Sequence, residues 1–405
     1  MDLRNKSFTR VLSLIVFYLS ASIAFDVSPQ APGPRRVPVE ITNNLVILQG
    51  SINGSKPLAL ILDTGASTTV ISDTRAKELG LKLEGKTDAT TQGGSIEASF
   101  VKGVSLNLSG VEFPKMTLAA IRLSGLEAGL GQKVDGILGY EIFNRFVVEI
   151  DYASKVVTFY EPQGYKYSGR GMVIPISIED NTPFVVGKIT GPKLIKGNFL
   201  LDTGAPGVLN LAGPFAAQHK LLDSVPHTIS ITSGALLANR SSGKIGRLKG
   251  FQMGSFVIKN PVVNFSQDAG GSEGDKASTE YGGLIGGEIL RRFKLIIDYS
   301  RRRTILEPNR YLSERYEFDM SGMSLAASGE GFKTFKVRAL VENSPATQAG
   351  FKVGDTIISI DGRSTGDMTL DQIRSMFRQE GRSYSLSAKR GESVLSLMIK
   401  TRRLI

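Results

Sequence analysis

Two aspartates, each followed by threonine and glycine, have the setting best suited to chemistry in this sequence. Asp63 lies in the segment LILDTGAS of residues 60–67, and Asp202 lies in FLLDTGAP of residues 199–206. In both, a run of large apolar residues leads into the turn, which indicates a buried strand that delivers a carboxylate to a tight turn. Because an unpartnered buried carboxylate is unfavourable, the duplication predicts that each aspartate is the other's partner. Two carboxyl groups about 3 Å apart cannot both be ionised, so they share one proton. Such a pair contains one acid and one base, the two groups that general acid–base catalysis requires.

The composition excludes several other catalytic classes. There is no cysteine, which removes thiol nucleophiles, disulfide frameworks and zinc–cysteine sites. The two histidines, His219 and His227, show no metal-ligand spacing and lie near no Gly-x-Ser-x-Gly motif. We therefore interpret both as surface or turn residues and expect neither a metal nor a cofactor.

Length and composition also predict the kind of fold. A chain of 405 residues is expected to form two or three domains, and 41% hydrophobic with 21% charged residues is typical of a folded protein. The 45 glycines favour many tight turns and an all-β architecture. The formal charge is +11, but the basic residues are spread along the chain, and the dense run at residues 301–303 falls in a predicted turn. We therefore expect no nucleic-acid partner.

The first 24 residues have the composition of a secretory signal peptide. Arg4, Lys6 and Arg10 precede an apolar run from Val11 to Phe25, and the run ends in small residues suited to a cleavage site. The run is short for a membrane span, which needs about 20 residues, so a retained anchor is the second interpretation. Residues 25–36 are a proline-rich linker, and the mature protein is expected to be periplasmic or extracellular, without a stable membrane span.

The two motifs belong to a longer internal repeat. Ile137-Leu138-Gly139 follows the first aspartate, and Leu284-Ile285-Gly286 follows the second in the same order. The repeat predicts two lobes, residues 37–162 and 171–308, that meet at a pseudo-two-fold axis. A lone Asp-Thr-Gly would more simply be a turn or cap residue, but its recurrence with a matching downstream element favours a paired site. The other recurring acids fit turns and first turns of helices and are assigned structural roles: Asp135, Asp151, Asp298, Glu141 and Glu288.

These repeated motifs resemble the pepsin and retropepsin group of aspartic proteases, most closely the bacterial retropepsin-like members. The resemblance implies a bilobal β-barrel fold and catalysis by Asp63 and Asp202 through an activated water. It further implies that Thr64 and Thr203 interlock across the lobes. Gly65 and Gly204 would turn backbone N–H groups toward the carboxylates, and the loop Gln92-Gly93-Gly94 would form a flap over substrate.

The motif departs from the pepsin pattern at a few positions. Ala66 and Ala205 replace a hydroxyl residue, which matches retroviral-type enzymes and suggests a less acidic pH optimum. Pro206 makes the second turn unlike the first, and the flap candidate lacks a tyrosine.

Residues 320–405 resemble a PDZ domain of the bacterial secreted-protease type. The segment 335–341 is a predicted strand, residues 353–362 a predicted strand and hairpin, and residues 370–377 a predicted helix. In this family a peptide adds as an extra strand and its terminal carboxylate binds backbone N–H groups. The resemblance places that loop at Gly329-Glu330-Gly331-Phe332.

The complete prediction is a mainly β protein with a bilobal acid-protease fold and a small α+β PDZ domain. The first hypothesis for its function is an exported, monomeric aspartic endopeptidase that acts on protein or peptide substrates, with a PDZ domain that binds substrate or a C-terminal partner peptide. The second is a non-catalytic bilobal receptor or scaffold that binds peptides. A PDZ domain that only packs on the protease is the alternative for the C-terminal unit.

Overall fold

The computed structural model describes residues 33–91, 94–191, 193–234, 240–266 and 280–405. The predicted signal peptide, most of the predicted linker, and Gln92 and Gly93 of the predicted flap lie outside the described residues. Within the described ranges, no helix is both long enough and apolar enough to cross a membrane.

The first lobe is built on a mixed sheet of eight strands. Its order is β2-β3-β4-β9-β5-β8-β7-β6. The strands are β2 (Glu40–Thr42), β3 (Leu45–Ile52), β4 (Leu58–Leu62), β5 (Val70–Ser72), β6 (Glu84–Thr91), β7 (Gly94–Leu108), β8 (Val111–Ile121) and β9 (Gly136–Leu138), with helices α1 (Asp73–Glu78), α2 (Ser124–Leu130) and α3 (Tyr140–Arg145). Helix α1 begins after Ser72, whose hydroxyl accepts from the Arg75 N–H, and the chain turns at Gly80 with a φ of 66°.

The second lobe repeats this plan. Its sheet runs β17-β18-β21-β16-β22-β15-β14-β19-β20, with β13 paired to β14. The strands are β13 (Ser177–Glu179), β14 (Thr182–Thr190), β15 (Ile195–Leu201), β16 (Leu209–Leu211), β17 (Thr228–Gly234), β18 (Arg240–Arg247), β19 (Gly250–Met253), β20 (Phe256–Lys259), β21 (Val262–Ser266) and β22 (Tyr281–Ile285), with helices α4 (Gly213–Gln218) and α5 (Gly287–Leu290).

A six-stranded antiparallel sheet joins the two lobes. Its order is β1-β11-β10-β23-β24-β12. The strands are β1 (Arg35–Pro38), β10 (Val147–Asp151), β11 (Val156–Tyr160), β12 (Met172–Pro175), β23 (Phe293–Asp298) and β24 (Arg303–Pro308). The equivalent strands β10 and β23 pair at its centre, with Ile150 opposite Leu295. The repeats therefore meet through corresponding strands.

The basic run at residues 301–303 covers the end of the turn between β23 and β24 and the first residue of β24. Asp298, which is fully buried, accepts from Arg301 at 3.3 Å and from Arg303 at 2.9 Å. Two of the three arginines therefore neutralise a buried carboxylate at this turn, which is a structural role for this part of the positive charge.

The C-terminal residues form a small α+β unit with a separate apolar core. Its sheet order is β25-β26-β27-β29-β30, with β28 paired to β27. The strands are β25 (Met323–Ser328), β26 (Thr334–Leu340), β27 (Thr356–Ile360), β28 (Arg363–Ser364), β29 (Ser383–Arg390) and β30 (Ser393–Lys400), with helices α6 (Pro345–Gln348) and α7 (Leu370–Phe377). A capping box between Thr369 and Gln372 begins α7 at the predicted position. The mainly β fold with this α+β unit is the predicted fold class.

A buried arginine organises the connection between the second lobe and this unit. Arg292 is completely buried, forms an ion pair with Glu288 at 3.1 Å and stacks on the Tyr316 ring at 3.7 Å. Its guanidinium also donates to backbone carbonyls of the connecting chain, those of Tyr311, Leu312, Glu314 and Arg315. A single cation thus satisfies a whole stretch of carbonyl groups and holds the connection against the second lobe.

Candidate active site

Each Asp-Thr-Gly turn is held by a parallel pair of strands. In the first lobe β4 runs parallel to β9, and the Asp63 N–H donates to the Leu138 carbonyl at 3.0 Å. In the second lobe β15 runs parallel to β22, and the Asp202 N–H donates to the Ile285 carbonyl at 3.0 Å. The downstream apolar element of each repeat is therefore the strand that fixes its aspartate.

The glycine after each of these strands lets the turn cross close behind it. A Cβ on Gly139 would lie 2.6 Å from the Ala66 carbonyl oxygen, and a Cβ on Gly286 would lie 2.9 Å from the Ala205 carbonyl oxygen. Both distances are too short for a side chain, so glycine is required where the two backbones meet.

Thr64 and Thr203 interlock across the lobes. The Thr203 hydroxyl donates to the Leu62 carbonyl at 2.8 Å, and the Thr64 hydroxyl donates to the Leu201 carbonyl. Each hydroxyl also accepts from the other threonine's backbone N–H at 3.0 Å. Both side chains are buried, at 1% and 0% exposure. This reciprocal set of hydrogen bonds fixes the distance between the two aspartate turns.

Removing one of these hydroxyls should weaken the interlobe contact. Thr64→Ala leaves the buried Leu201 carbonyl and the Thr203 N–H without a partner, which costs about 1–3 kcal/mol. Urea unfolding should show this loss, whereas Thr117→Ala, on an exposed position of β8, should stay within about 0.5 kcal/mol of wild type. Equal stability of the two variants would contradict the interlocking role.

The two glycines bring the carboxylates against the opposite turns. The Gly65 N–H donates to Asp63 Oδ1 at 2.7 Å, and the Gly204 N–H donates to Asp202 Oδ1 at 2.8 Å. A Cβ on Gly65 would meet the Asp202 carboxyl carbon at 2.8 Å, and one on Gly204 would overlap the Asp63 carboxyl group. Each carboxyl group therefore lies directly on the other lobe's glycine.

The two carboxyl groups interact with each other across the lobes. Asp202 is 3% exposed, and Asp63 keeps a partly accessible edge. Burial, and next the charge of Asp202, raise the pKa of Asp63 well above its ordinary value, against the lowering effect of the Gly65 and Gly204 N–H groups. Burial dominates despite the accessible edge because the turns surround the carboxyl oxygens. Asp63 is therefore suited to hold a proton that the pair shares.

Two buried tyrosines interact electrostatically with this pair and were not among the predicted site residues. Tyr152 and Tyr299 are 2% and 5% exposed, and within the described part of the chain their hydroxyl groups have no hydrogen-bond partner. Burial raises both pKa values, and the charge of Asp202 adds to this for Tyr152, as that of Asp63 does for Tyr299. Each lobe thus places a neutral phenol near the other lobe's aspartate. The repeated Asp-Tyr dipeptides, 151–152 and 298–299, were the available signal.

The two half-sites differ in how their turns are supported. In the first lobe Glu141 accepts from both Thr68 and Thr69, at 2.7–2.9 Å. In the second lobe the equivalent Glu288 accepts from Asn44 of the first lobe at 2.9 Å, and Asn44 also donates to the Pro206 carbonyl at 2.8 Å. The turn with proline is therefore held by the opposite lobe. Asn44 gave no signal in the sequence.

The predicted flap lies on a long hairpin of the first lobe. Strands β6 and β7 pair up to Thr91 opposite Gly94, which begins β7. Ala89 and Ile96 of this hairpin pack against the apolar cluster that contains Ile61 of β4. The hairpin is thus attached to the strand that carries Asp63, and its role as a lid stays a prediction.

The predicted PDZ loop Gly329–Phe332 is the turn between β25 and β26. Gly329, Gly331 and Phe332 have φ values of 74°, 59° and 58°, and the next residue, Lys333, donates to the Met368 carbonyl at 2.9 Å just before α7. The turn therefore lies near the beginning of α7. Its role in carboxylate binding stays a prediction.

A second cluster of backbone N–H groups lies at the other end of α7. The Met320 N–H donates to the Phe377 carbonyl at 2.8 Å. The next N–H groups, those of Ser321 and Gly322, donate to Asp319 Oδ1 at 3.0 and 2.6 Å. Concave backbone of this kind binds anions. Here its anion is a side chain of the same chain.

The described residues contain no group of three or more histidine or acidic side chains that could hold a metal ion. His219 ends α4 and packs edge-on against the Phe215 ring, with centroids 4.7 Å apart. Neither finding adds a catalytic group to the aspartate pair.

Two family models match parts of the chain. Residues 48–142 match the aspartyl protease family model, and residues 336–390 match the PDZ domain model. Among solved structures the chain is similar to an aspartic proteinase from Irpex lacteus, at 14% identity and a TM-score of 0.43 over 70% of this chain and 99% of that one. No curated protein matches the chain. The chain therefore carries a region of the aspartyl protease family followed by a PDZ domain.

Proposed function

We propose that the chain is an aspartic endopeptidase in which Asp63 and Asp202 together activate water. The observation that carries this proposal is that the interlocked turns hold each carboxyl group against the glycine of the other lobe's turn. Such a pair offers an acid and a base to one substrate without a metal or a covalent intermediate.

The raised pKa of Asp63 suggests which member holds the proton. Protonated Asp63 would donate to the carbonyl oxygen of the scissile bond, and ionised Asp202 would take a proton from the attacking water. The water oxygen bonds to the carbonyl carbon, and the carbonyl oxygen receives the Asp63 proton. The tetrahedral intermediate then breaks its C–N bond: the proton on Asp202 passes to the leaving nitrogen, and one hydroxyl group of the intermediate returns a proton to Asp63 as the C=O bond re-forms.

The pH profile should reflect this shared proton. Loss of the proton leaves two ionised carboxylates and no acid, so kcat/KM for casein-derived peptides should fall as pH rises through the raised pKa of Asp63. A series of rates from pH 3 to pH 9 would show this limb. Cleavage that keeps rising up to pH 9 would contradict the proposed acid, and no cleavage at any pH would favour a peptide-binding receptor instead.

The PDZ domain and the leader complete the proposal. The PDZ domain would bind substrate or a partner peptide by strand addition, and residues 1–24 would direct export. Fractionation of cells that express the full chain tests export: a processed protein outside the cytoplasm supports it, and an unprocessed protein inside contradicts it.

A further inference from the structure

The free edge of β25 faces a groove whose other wall is α7. Among the described strands, β25 pairs only with β26 and forms the end of its sheet. An edge strand beside a helix can accept an added peptide strand. In this structure groups from the chain itself already lie at several positions of the groove.

The end of the groove where α7 begins is filled by the first lobe. Gly131, which ends helix α2 with a φ of 75°, lies between Leu370 of α7 and Ala327 of β25. A Cβ on Gly131 would be 2.8 Å from the Leu370 Cβ and 3.5 Å from the Ala327 Cβ. Gly131 therefore lies against both walls of the groove at this end, on the path of a peptide strand that would add to β25.

Two further contacts close the rest of the groove. Arg374 of α7 reaches across to the Leu325 carbonyl of β25 at 3.4 Å. At the far end, the Asp319 carboxylate occupies the N–H groups of Ser321 and Gly322. Groups of the chain itself therefore already engage the Leu325 carbonyl and the N–H groups of Ser321 and Gly322.

One polar atom in the closed groove has no hydrogen-bond partner among the described residues. Nη1 of Arg374 is buried and has no hydrogen-bond partner in the described part of the chain. A buried guanidinium N–H without an acceptor favours a carboxylate ligand. The closed form therefore keeps a site that an acidic group of an entering peptide would satisfy.

We propose that the groove between β25 and α7 is a self-docking surface whose resident partner is helix α2 of the first lobe. A peptide with a carboxylate enters only after the PDZ domain moves off α2. This also links the groove to the candidate active site. Helix α2 shares an apolar cluster with Ile61 and Ile137, in the strands that hold Asp63.

The inference rests on the proposed function only for this link, because docking itself needs no catalysis. Gly131→Asn adds a side chain at the contact while keeping a residue that tolerates a left-handed conformation. Gly80→Asn is the matched control. Gly80 also follows a helix with positive φ, at 66°, but has nothing within 4 Å of its added Cβ.

Hydrogen exchange of the full chain gives the first test. Gly131→Asn should speed exchange in β25 and α2 by about tenfold or more, while the β29–β30 hairpin keeps its wild-type protection and shows that the domain is folded. Gly80→Asn should leave all three regions unchanged. Equal exchange of β25 in wild type and Gly131→Asn would overturn the docking.

Peptide binding gives the second test. A library of decapeptides with free C-terminal carboxylates should bind Gly131→Asn about tenfold more tightly than wild type or Gly80→Asn, and the same library with C-terminal amides should show a smaller gain. Unchanged binding in a folded Gly131→Asn protein would show that helix α2 and the peptide do not compete for the groove. If that variant does not fold, Gly131→Ala places a smaller group at the same contact and carries the same expectations.

Discussion

Asp63→Asn should lower kcat for peptide hydrolysis by about a thousandfold or more, because an amide cannot supply the proton that the pair shares. The loss should be in kcat rather than KM, since the amide keeps the size of the carboxyl group and the Gly65 contact. Rates measured over a range of concentrations of one fluorogenic peptide would give kcat and KM separately.

The same variant should be more stable than wild type. Burial and the charge of Asp202 raise the pKa of Asp63, so its protonated form stabilises the fold below the ordinary value of 3.8, and this stabilisation is lost as pH rises through the raised pKa. The amide that replaces this carboxyl group does not ionise. The gain in Tm should therefore be near zero at pH 3 and grow toward pH 8, where each kcal/mol corresponds to roughly 2–4 °C.

Asp135→Asn is the matched control for stability. Asp135 is also buried, but it pairs with Arg75 at 2.7 Å and accepts from the Ala59 N–H at 2.9 Å. Its substitution should lower Tm at neutral pH because it removes a favourable partner. If Asp63→Asn lowered Tm as much as Asp135→Asn does, the carboxylates of Asp63 and Asp202 would not repel each other in the folded state.

Arg292→Met should cause the largest loss of stability among the substitutions considered, about 3–5 kcal/mol. Methionine keeps the buried volume but removes one of the donors to Glu288 and the guanidinium that several backbone carbonyls of the connection share. Urea unfolding would measure the loss, and limited proteolysis should cut the connection at residues 309–318 earlier than in wild type.

Arg310→Met is the control that tests whether the loss of any arginine contact destabilises the protein as much as Arg292→Met does. Arg310 is exposed and donates to the Ala153 carbonyl at 2.9 Å, and its loss should cost less than about 1 kcal/mol. Similar unfolding curves for the two variants would rule out the organising role of Arg292.

The sequence was most informative where it repeats itself. Asp63 and Asp202 could be predicted as a pair because an apolar run, a turn residue and a downstream glycine recur together, and each element has a local pattern. The same repeat contained Tyr152 and Tyr299. Buried tyrosines after a strand are ordinary core residues, however, so only the folded structure places them beside the opposite aspartates.

Contacts between distant parts of the chain could not be predicted. Asn44 is an ordinary turn residue in sequence, and its bonds to Pro206 and Glu288 depend on how two lobes pair. The contact of Gly131 with the PDZ groove also joins distant parts of the chain and could not be predicted for the same reason. The glycines at residues 329–332 indicated a carboxylate-binding loop at that position. The N–H cluster after Asp319 contains only one glycine, so its sequence did not indicate such a loop.

The most direct test of the central claim is digestion of one peptide library by wild type, Asp63→Asn and Asp202→Asn, with products identified by mass spectrometry. The account predicts defined cleavage sites with wild type and loss of the same sites with either variant, although both variants remain folded. Cleavage by either variant at the wild-type rate would contradict it.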